Sequence, residues 1–186
     1  MKLIYITKLN FLIFETIKTK IMATVTLKGN TLNTVGNLPQ NQTKAENIEL
    51  VKTDLSTLNF SDYLGKKVVL NIFPSVDTGV CAQSVRTFNK DLSSLENTVV
   101  ICISKDLPFA QNRFCAAEGL DNVIMASDYR SDFGKKYGIE LTDGPLKGLL
   151  ARAVIVLNEE GIVVYSELVP EITTEPNYEA AFEATK

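Results

Sequence analysis

Residues 73–81 read F-P-S-V-D-T-G-V-C, an apolar run that stops at Pro74 and reaches Cys81 after a short polar stretch. The chain has 186 residues and no histidine. Ser-His-Asp and Cys-His catalysis within one chain are therefore excluded. Most catalytic zinc and non-haem iron sites become poor candidates too, so no metal and no cofactor is expected. A cysteine in the first turn of a helix has another route to reactivity. It meets unpaired backbone N–H groups and the positive end of the helix dipole, and both favour a thiolate. Thr78 carries a hydroxyl that can donate to a substrate oxygen or accept from a substrate O–H. Asp77 is the expected N-cap, and Gly79 leaves room for a substrate against the backbone. The residues alone leave two readings of Cys81: a nucleophile at a strand-to-helix turn, or a packing thiol, which is what most single cysteines are.

The other cysteines differ in setting. Cys102 stands in T-V-V-I-C-I-S and is expected to pack inside a strand. Cys115 falls late in a short helix over residues 107–118, a length that is marginal by itself and can open locally. Three sparse cysteines without a CxxC pair indicate neither a secreted disulfide scaffold, nor a zinc ribbon, nor a thioredoxin-type dithiol.

The elements that must position these residues follow from periodicity. T-V-T-L and T-L-N-T-V flank Lys28-Gly29-Asn30 and predict an N-terminal β-hairpin. I-E-L-V-K at 48–52 is a short strand. F-S-D-Y-L-G is a helical turn ending at Gly65. K-V-V-L-N-I-F at 67–73 is apolar almost throughout, as in a central strand buried on both faces. Val80, Val85, Phe88, Leu92 and Leu95 share one face of a helix beginning at Gly79. A second buried strand covers 98–104. The helix over 107–118 follows Asp106, has Pro108 in its first turn and stops at Gly119. N-V-I-M-A is a third strand, and 128–137 a short helix. A-R-A-V-I-V-L and G-I-V-V-Y-S-E-L-V form a hairpin, and a helix from about Glu175 closes the chain. Strands alternating with helices, then a late hairpin, imply an α/β fold with a mixed central sheet flanked by helices.

Composition bounds the rest. Hydrophobic residues make up 45% and charged residues 22%, as in ordinary globular proteins, with 19 basic against 22 acidic side chains. Lys2, Lys8, Lys18 and Lys20 fall in the first 21 residues, so the body is acidic and lacks a basic cluster. That argues against nucleic acid and against an anionic membrane surface as partners. Residues 1–21 make a poor signal peptide, because Lys8 and Glu15 break the apolar run and no A-x-A-like site follows. They are too short and too charged for a membrane span. The expectation is an extension outside the domain, or a mis-assigned start ahead of Met22, with a weak membrane or export segment as the alternative. One domain is expected over 22–186, in the cytoplasm.

P-S-V-D-T-G-V-C resembles Pro-x-x-x-Thr-x-x-Cys, the active-site signature of peroxiredoxins. The longer string N-I-F-P-S-V-D-T-G-V-C-A-Q-S-V-R-T-F-N is similar to the thiol peroxidase branch. C-I-S-K-D-L-P-F-A-Q-N-R-F-C, R-A-V-I-V-L, E-I-T-T-E-P-N-Y-E-A-A and the N-terminal hairpin resemble that branch as well, in the same order. The resemblance implies a thioredoxin-like fold and a peroxidase acting on hydrogen peroxide and organic hydroperoxides, recycled by thioredoxin and commonly homodimeric. It implies that Cys81 is the peroxidatic cysteine, that Thr78 hydrogen-bonds the peroxide, and that Pro74 shields the sulfur. It gives Arg152 the role of holding the thiolate and polarising the peroxide. Cys115 takes the resolving role, forming a Cys81–Cys115 disulfide, and Cys102 has no catalytic task. Arg152 lies inside A-R-A-V-I-V-L, so partial burial is expected, and a buried charge needs a partner. A disulfide needs Cα atoms within roughly 4.4–6.8 Å, so local opening of the Cys81 turn or of 107–118 is expected between the two steps. Two other readings stay open on the residues: a redox partner passing disulfides on, and an interaction protein with buried thiols.

Overall fold

The structure, a computed structural model, describes residues 22–91 and 95–186. The expectations for residues 1–21 and for Leu92 fall outside them.

Seven strands form one mixed sheet: β3 (Glu49–Lys52), β4 (Thr57–Asn59), β5 (Lys67–Ile72), β6 (Thr98–Ser104), β7 (Ile124–Ser127), β8 (Ala153–Leu157) and β9 (Val163–Leu168). Their spatial order is β4-β3-β7-β6-β5-β8-β9. β6 is the central strand; β5 lies beside it in the interior of the sheet, parallel to β6 and antiparallel to β8. Pro74 ends its run because proline has no N–H to give to a ladder. β1 (Thr24–Leu27) and β2 (Asn30–Asn33) form a separate antiparallel pair. Their turn has positive φ at Lys28 (51°) and Gly29 (79°), the geometry that matches the twist of a two-residue hairpin. β4 was not expected. T-L-N has one apolar residue and no readable period, and it becomes a strand by pairing with β3.

Side chains alternate across the sheet with the two-residue period of a strand. Val68, Leu70, Ile101, Ile103 and Ile155 face one core, with Phe60, Phe133 and Tyr137. Val69, Val100, Cys102, Val154 and Val156 face the other, with Cys81, Val85 and Phe88. Each fully buried aliphatic side chain contributes about 1.5–3 kcal/mol.

Helix α1 (Gly79–Asp91) lies on this second face, burying Cys81, Ala82, Ser84, Val85 and Phe88. Phe88 meets Tyr178 and Phe182 edge-on, at ring distances of 5.2 and 5.5 Å. Both belong to α4 (Tyr178–Glu183), whose start is capped by the Asn177 side chain. Helix α2 (Pro108–Glu118) ends at Gly119, in the left-handed region at φ 63°. Its N-cap residue is Leu107 rather than Asp106, and it makes no side-chain cap. The helix expected over 128–137 shrinks to α3 (Phe133–Lys136). Asp128 stays outside it and turns its buried carboxylate back, accepting from the N–H groups of Phe133 and Gly134. Burial pushes the Asp128 carboxyl up, against hydrogen bonds that pull it down.

Candidate active site

The turn from β5 to α1 carries the residues singled out by type and spacing. The first α-helical bond of α1 runs from Ala82 N–H to the Thr78 carbonyl, at 2.9 Å. Thr78 is therefore the N-cap, and the expectation for Asp77 is corrected. The Asp77 carboxylate instead lies 3.7 Å from Arg113 in an exposed pair. The Asp77 N–H is itself taken by Ser75 Oγ, at 3.2 Å. Cys81 is the third residue of α1, at 0% exposure.

Arg152 reaches this sulfur from the segment just before β8. It is 1% exposed, deeper than the partial burial expected from its flanks. Its Nη2 donates to Cys81 Sγ at 3.3 Å, and its Nε to the Ile172 carbonyl at 3.0 Å. Its Nη1 is buried without a hydrogen-bond partner. A buried unpaired donor costs about 1–3 kcal/mol, and Arg152 also lines a cavity.

The cavity has a volume of about 300 Å³ and is walled by Leu27, Pro74, Val80, Leu146, Leu149 and Ile172, with Thr78, Gly79 and Arg152 among its polar or open positions. Cys81 is not among its lining residues, whereas Arg152, which donates to the Cys81 sulfur, is. Pro74 is buried, and a Cβ added at Gly79 would meet nothing within 4 Å. The Thr78 hydroxyl donates to the Ser75 carbonyl at 3.2 Å, which leaves its lone pairs free to accept. Thus Pro74, Thr78, Cys81 and Arg152 come together.

Cys115 does not join them. It is half-buried on α2, lining a different groove with Asn112, Leu120, Asp121 and Met125. All three cysteines are free thiols. Burial, helped by the Asp121 carboxylate, pushes the Cys115 thiol up to about 11. Cys102 is fully buried and accepts from Asn71 Nδ2 at 3.5 Å. Burial pushes it up to about 12, with the Asn71 contact pulling the other way.

Several residues of the site escaped the sequence. Leu27, Leu146, Leu149 and Ile172 come from separate segments, and nothing in their spacing marks a shared wall. Asp106 was read only as a residue preceding α2. It accepts from Ser75 Oγ, from Val76 N–H and from Ser104 Oγ, each at 2.8 Å. Its signal was an acidic residue two positions past the end of a buried strand, the edge of the sheet where loops build sites.

A sulfur at a helix start, faced by a fixed cation with an unpaired donor and near an apolar cavity, defines a class: thiol chemistry on a small substrate. Comparison with known proteins agrees. Residues 38–182 match the redoxin family model. The chain is 54% identical over 163 residues to the thiol peroxidase of Mycobacterium tuberculosis H37Rv, covering 88% of this chain and 98% of the relative. It is 56% identical to the thiol peroxidase of Corynebacterium glutamicum, covering 88% and 99%. A crystal structure of a peroxiredoxin-like protein from Aquifex aeolicus superposes with a TM-score of 0.82 at 40% identity, covering 88% and 96%. A thiol peroxidase from Chromobacterium violaceum shares the fold, with a TM-score of 0.79 at 24% identity, covering 84% and 91%. The chain belongs to the redoxin family, with its thioredoxin-like fold, and within it to the thiol peroxidases. It is an enzyme of the peroxiredoxin type that reduces peroxide with thiols.

Proposed function

We propose that Cys81 attacks hydrogen peroxide and organic hydroperoxides, that Cys115 resolves the product, and that thioredoxin restores the thiols. The Cys81 thiolate attacks one peroxide oxygen. An S–O bond forms as the O–O bond breaks, and the leaving alkoxide or hydroxide takes up a proton. The resulting sulfenic acid is attacked by the Cys115 thiolate. The S–S bond forms, the S–O bond breaks, and hydroxide leaves to become water. A reduced dithiol then supplies two electrons.

The observation that carries this reading is Arg152, with Nη2 at 3.3 Å from Cys81 Sγ and Nη1 buried and unpaired. A preorganised cation aimed where charge develops on the leaving oxygen is the usual source of such rate enhancement. It needs no general base at the sulfur. The Thr78 lone pairs suit a peroxide O–H, and the buried Pro74 screens the sulfur from water. The apolar walls favour an organic hydroperoxide over a smaller one. Cys81 has no exposed surface, and Cys115 sits on another helix. Disulfide formation therefore requires local opening of the Cys81 turn or of α2. Family membership supports thioredoxin as the reductant and a homodimeric assembly. A reducing cytoplasm would keep the three thiols free.

One equivalent of cumene hydroperoxide added to the reduced protein should remove two thiols within seconds. Cys81→Ser should remove none, and Cys115→Ser only one. Thiol loss that survives Cys81→Ser would sink the assignment.

A further inference from the structure

We propose that Asp106 is a positioning residue that ties the Cys81 turn to the helix carrying Cys115, so that breaking one set of bonds frees both for disulfide formation. This rests on the peroxidase reading above. One oxygen of the Asp106 carboxylate accepts from Ser75 Oγ, and the other from Val76 N–H, two adjacent residues of the turn that leads to Thr78 and Cys81. The oxygen that takes Val76 N–H also accepts Ser104 Oγ–H. Ser104 Oγ in turn accepts from Gln111 Nε2 at 3.0 Å. Gln111 lies on α2, one helical turn before Cys115. An unbroken polar path of four side chains thus joins the two segments that have to move.

Helix α2 is built to depend on that path. Among its eleven residues only Pro108 and Gln111 are buried. An apolar stripe is what normally holds a surface helix down; α2 adds to Pro108 only Phe114 and Cys115, partly buried against the core. Gln111 itself is held incompletely: Nε2 donates to Ser104 Oγ and to the Ala126 carbonyl, while Oε1 is buried with no partner. Opening α2 would hydrate that oxygen, which removes a penalty of the closed state. The closed state is secured from the other end, by charge-assisted bonds to one carboxylate. When the Cys81 turn unwinds, Ser75 and Val76 leave Asp106, and the anchor for Ser104 and Gln111 weakens at the same moment.

The tie predicts opposite effects on two steps. Reduced enzyme is mixed rapidly with cumene hydroperoxide. Sulfenic acid and disulfide are then followed separately by quenching with a sulfenic-acid trap and mass analysis. Asp106→Asn keeps shape but loses the charge and one acceptor. It should slow the peroxide-dependent step by about tenfold and speed the peroxide-independent disulfide step by about threefold or more. Excess peroxide should then convert less Cys81 to sulfinic acid, because that oxidation competes with resolution for the sulfenic acid. Ser75→Ala removes one of the bonds to Asp106, along with the bond Ser75 Oγ accepts from Asp77 N–H, and should move both constants the same way by less. Gln111→Met cuts the path to α2, along with the bond to the Ala126 carbonyl, but leaves the bonds of the turn to Asp106, so it should speed the second step alone. A merely structural loss would slow both steps together, and that result, or an unchanged disulfide step in all three variants, overturns the tie. If the unaltered enzyme forms no sulfenic acid, the peroxidase reading falls and the tie with it. If it does, and only the variants fail to separate the steps, the tie alone falls.

Discussion

Cys81 and Cys102 belong to the same core cluster, and both are 0% exposed. They even share a polar neighbour. Asn71 Nδ2 donates to Cys102 Sγ and to Ser84 Oγ, and Ser84 in turn donates to the Cys81 carbonyl at 2.8 Å. Yet one sulfur faces a guanidinium beside a cavity, and the other faces a neutral amide in the middle of the sheet. Burial alone does not make a thiol inert. What separates the two is the charge of the partner and whether a substrate can be brought close, and both are set by the segment packed opposite.

The comparison breaks first at Arg152. Arg152→Met leaves Cys81 buried beside a neutral side chain, much as Cys102 is. Peroxide reduction should fall by about 10²–10³ in kcat/KM, the scale seen when one preorganised donor is removed. Stopped-flow oxidation with the other residues intact measures it, and a loss under tenfold would mean that Arg152 does not stabilise the leaving oxygen. The cavity sharpens the contrast next. Leu149→Ser should lower kcat/KM for cumene hydroperoxide by about tenfold while hydrogen peroxide stays within about twofold, since one apolar contact is worth that much. An equal fall for both substrates would show that the wall positions the site rather than selecting the substrate.

The smallest effect concerns Cys102. Cys102→Ala should leave turnover within about twofold and lower stability by about 1–2 kcal/mol through the cavity it creates. It should also change the alkaline limb of unfolding. The folded-state value for Cys102 lies near 12 against an ordinary 9.0. The native state therefore holds its proton more tightly than the unfolded chain does. That contribution is complete below about pH 9 and is lost as pH rises towards 12. Denaturant melts at pH 8 and pH 10.5 should differ less for the variant than for the unaltered protein. An equal difference would place the alkaline weakness elsewhere, as in Tyr137, whose hydroxyl burial also pushes up.

Much of the frame was readable before folding. The runs 67–73 and 98–104 carry apolar residues on both faces, interrupted at Lys67, Asn71, Thr98 and Ser104, a pattern that suits a buried strand, and both appear where expected. The helix start at Gly79 and the Gly119 stop were equally plain; the hairpin around Gly29 was too, though its turn falls on Lys28-Gly29 rather than on Gly29-Asn30, and Asn30 already belongs to β2. Readings failed where partners decide. Thr57–Asn59 is a strand because β3 lies beside it. Asp128 caps α3 from outside because its carboxylate is held in the interior, next to Lys105 at 3.7 Å. Asp77 was the better cap by type, but the turn gives that place to Thr78.

By itself the sequence determined the order of the elements, the position of Cys81 at a helix start and the need for a chemistry without imidazole. These are matters of composition and of neighbours within a turn or two. The tertiary structure decided which cation meets the sulfur, across 71 residues. It decided which carboxylate braces the turn, across 31 residues, and which apolar side chains wall the cavity. Such contacts are fixed by sheet order and register, and no local preference encodes them. By its flanks the arginine was legible as a buried charge that needs a partner, and the family resemblance pointed to the Cys81 thiolate; the packed chain supplies the contact itself, at 3.3 Å.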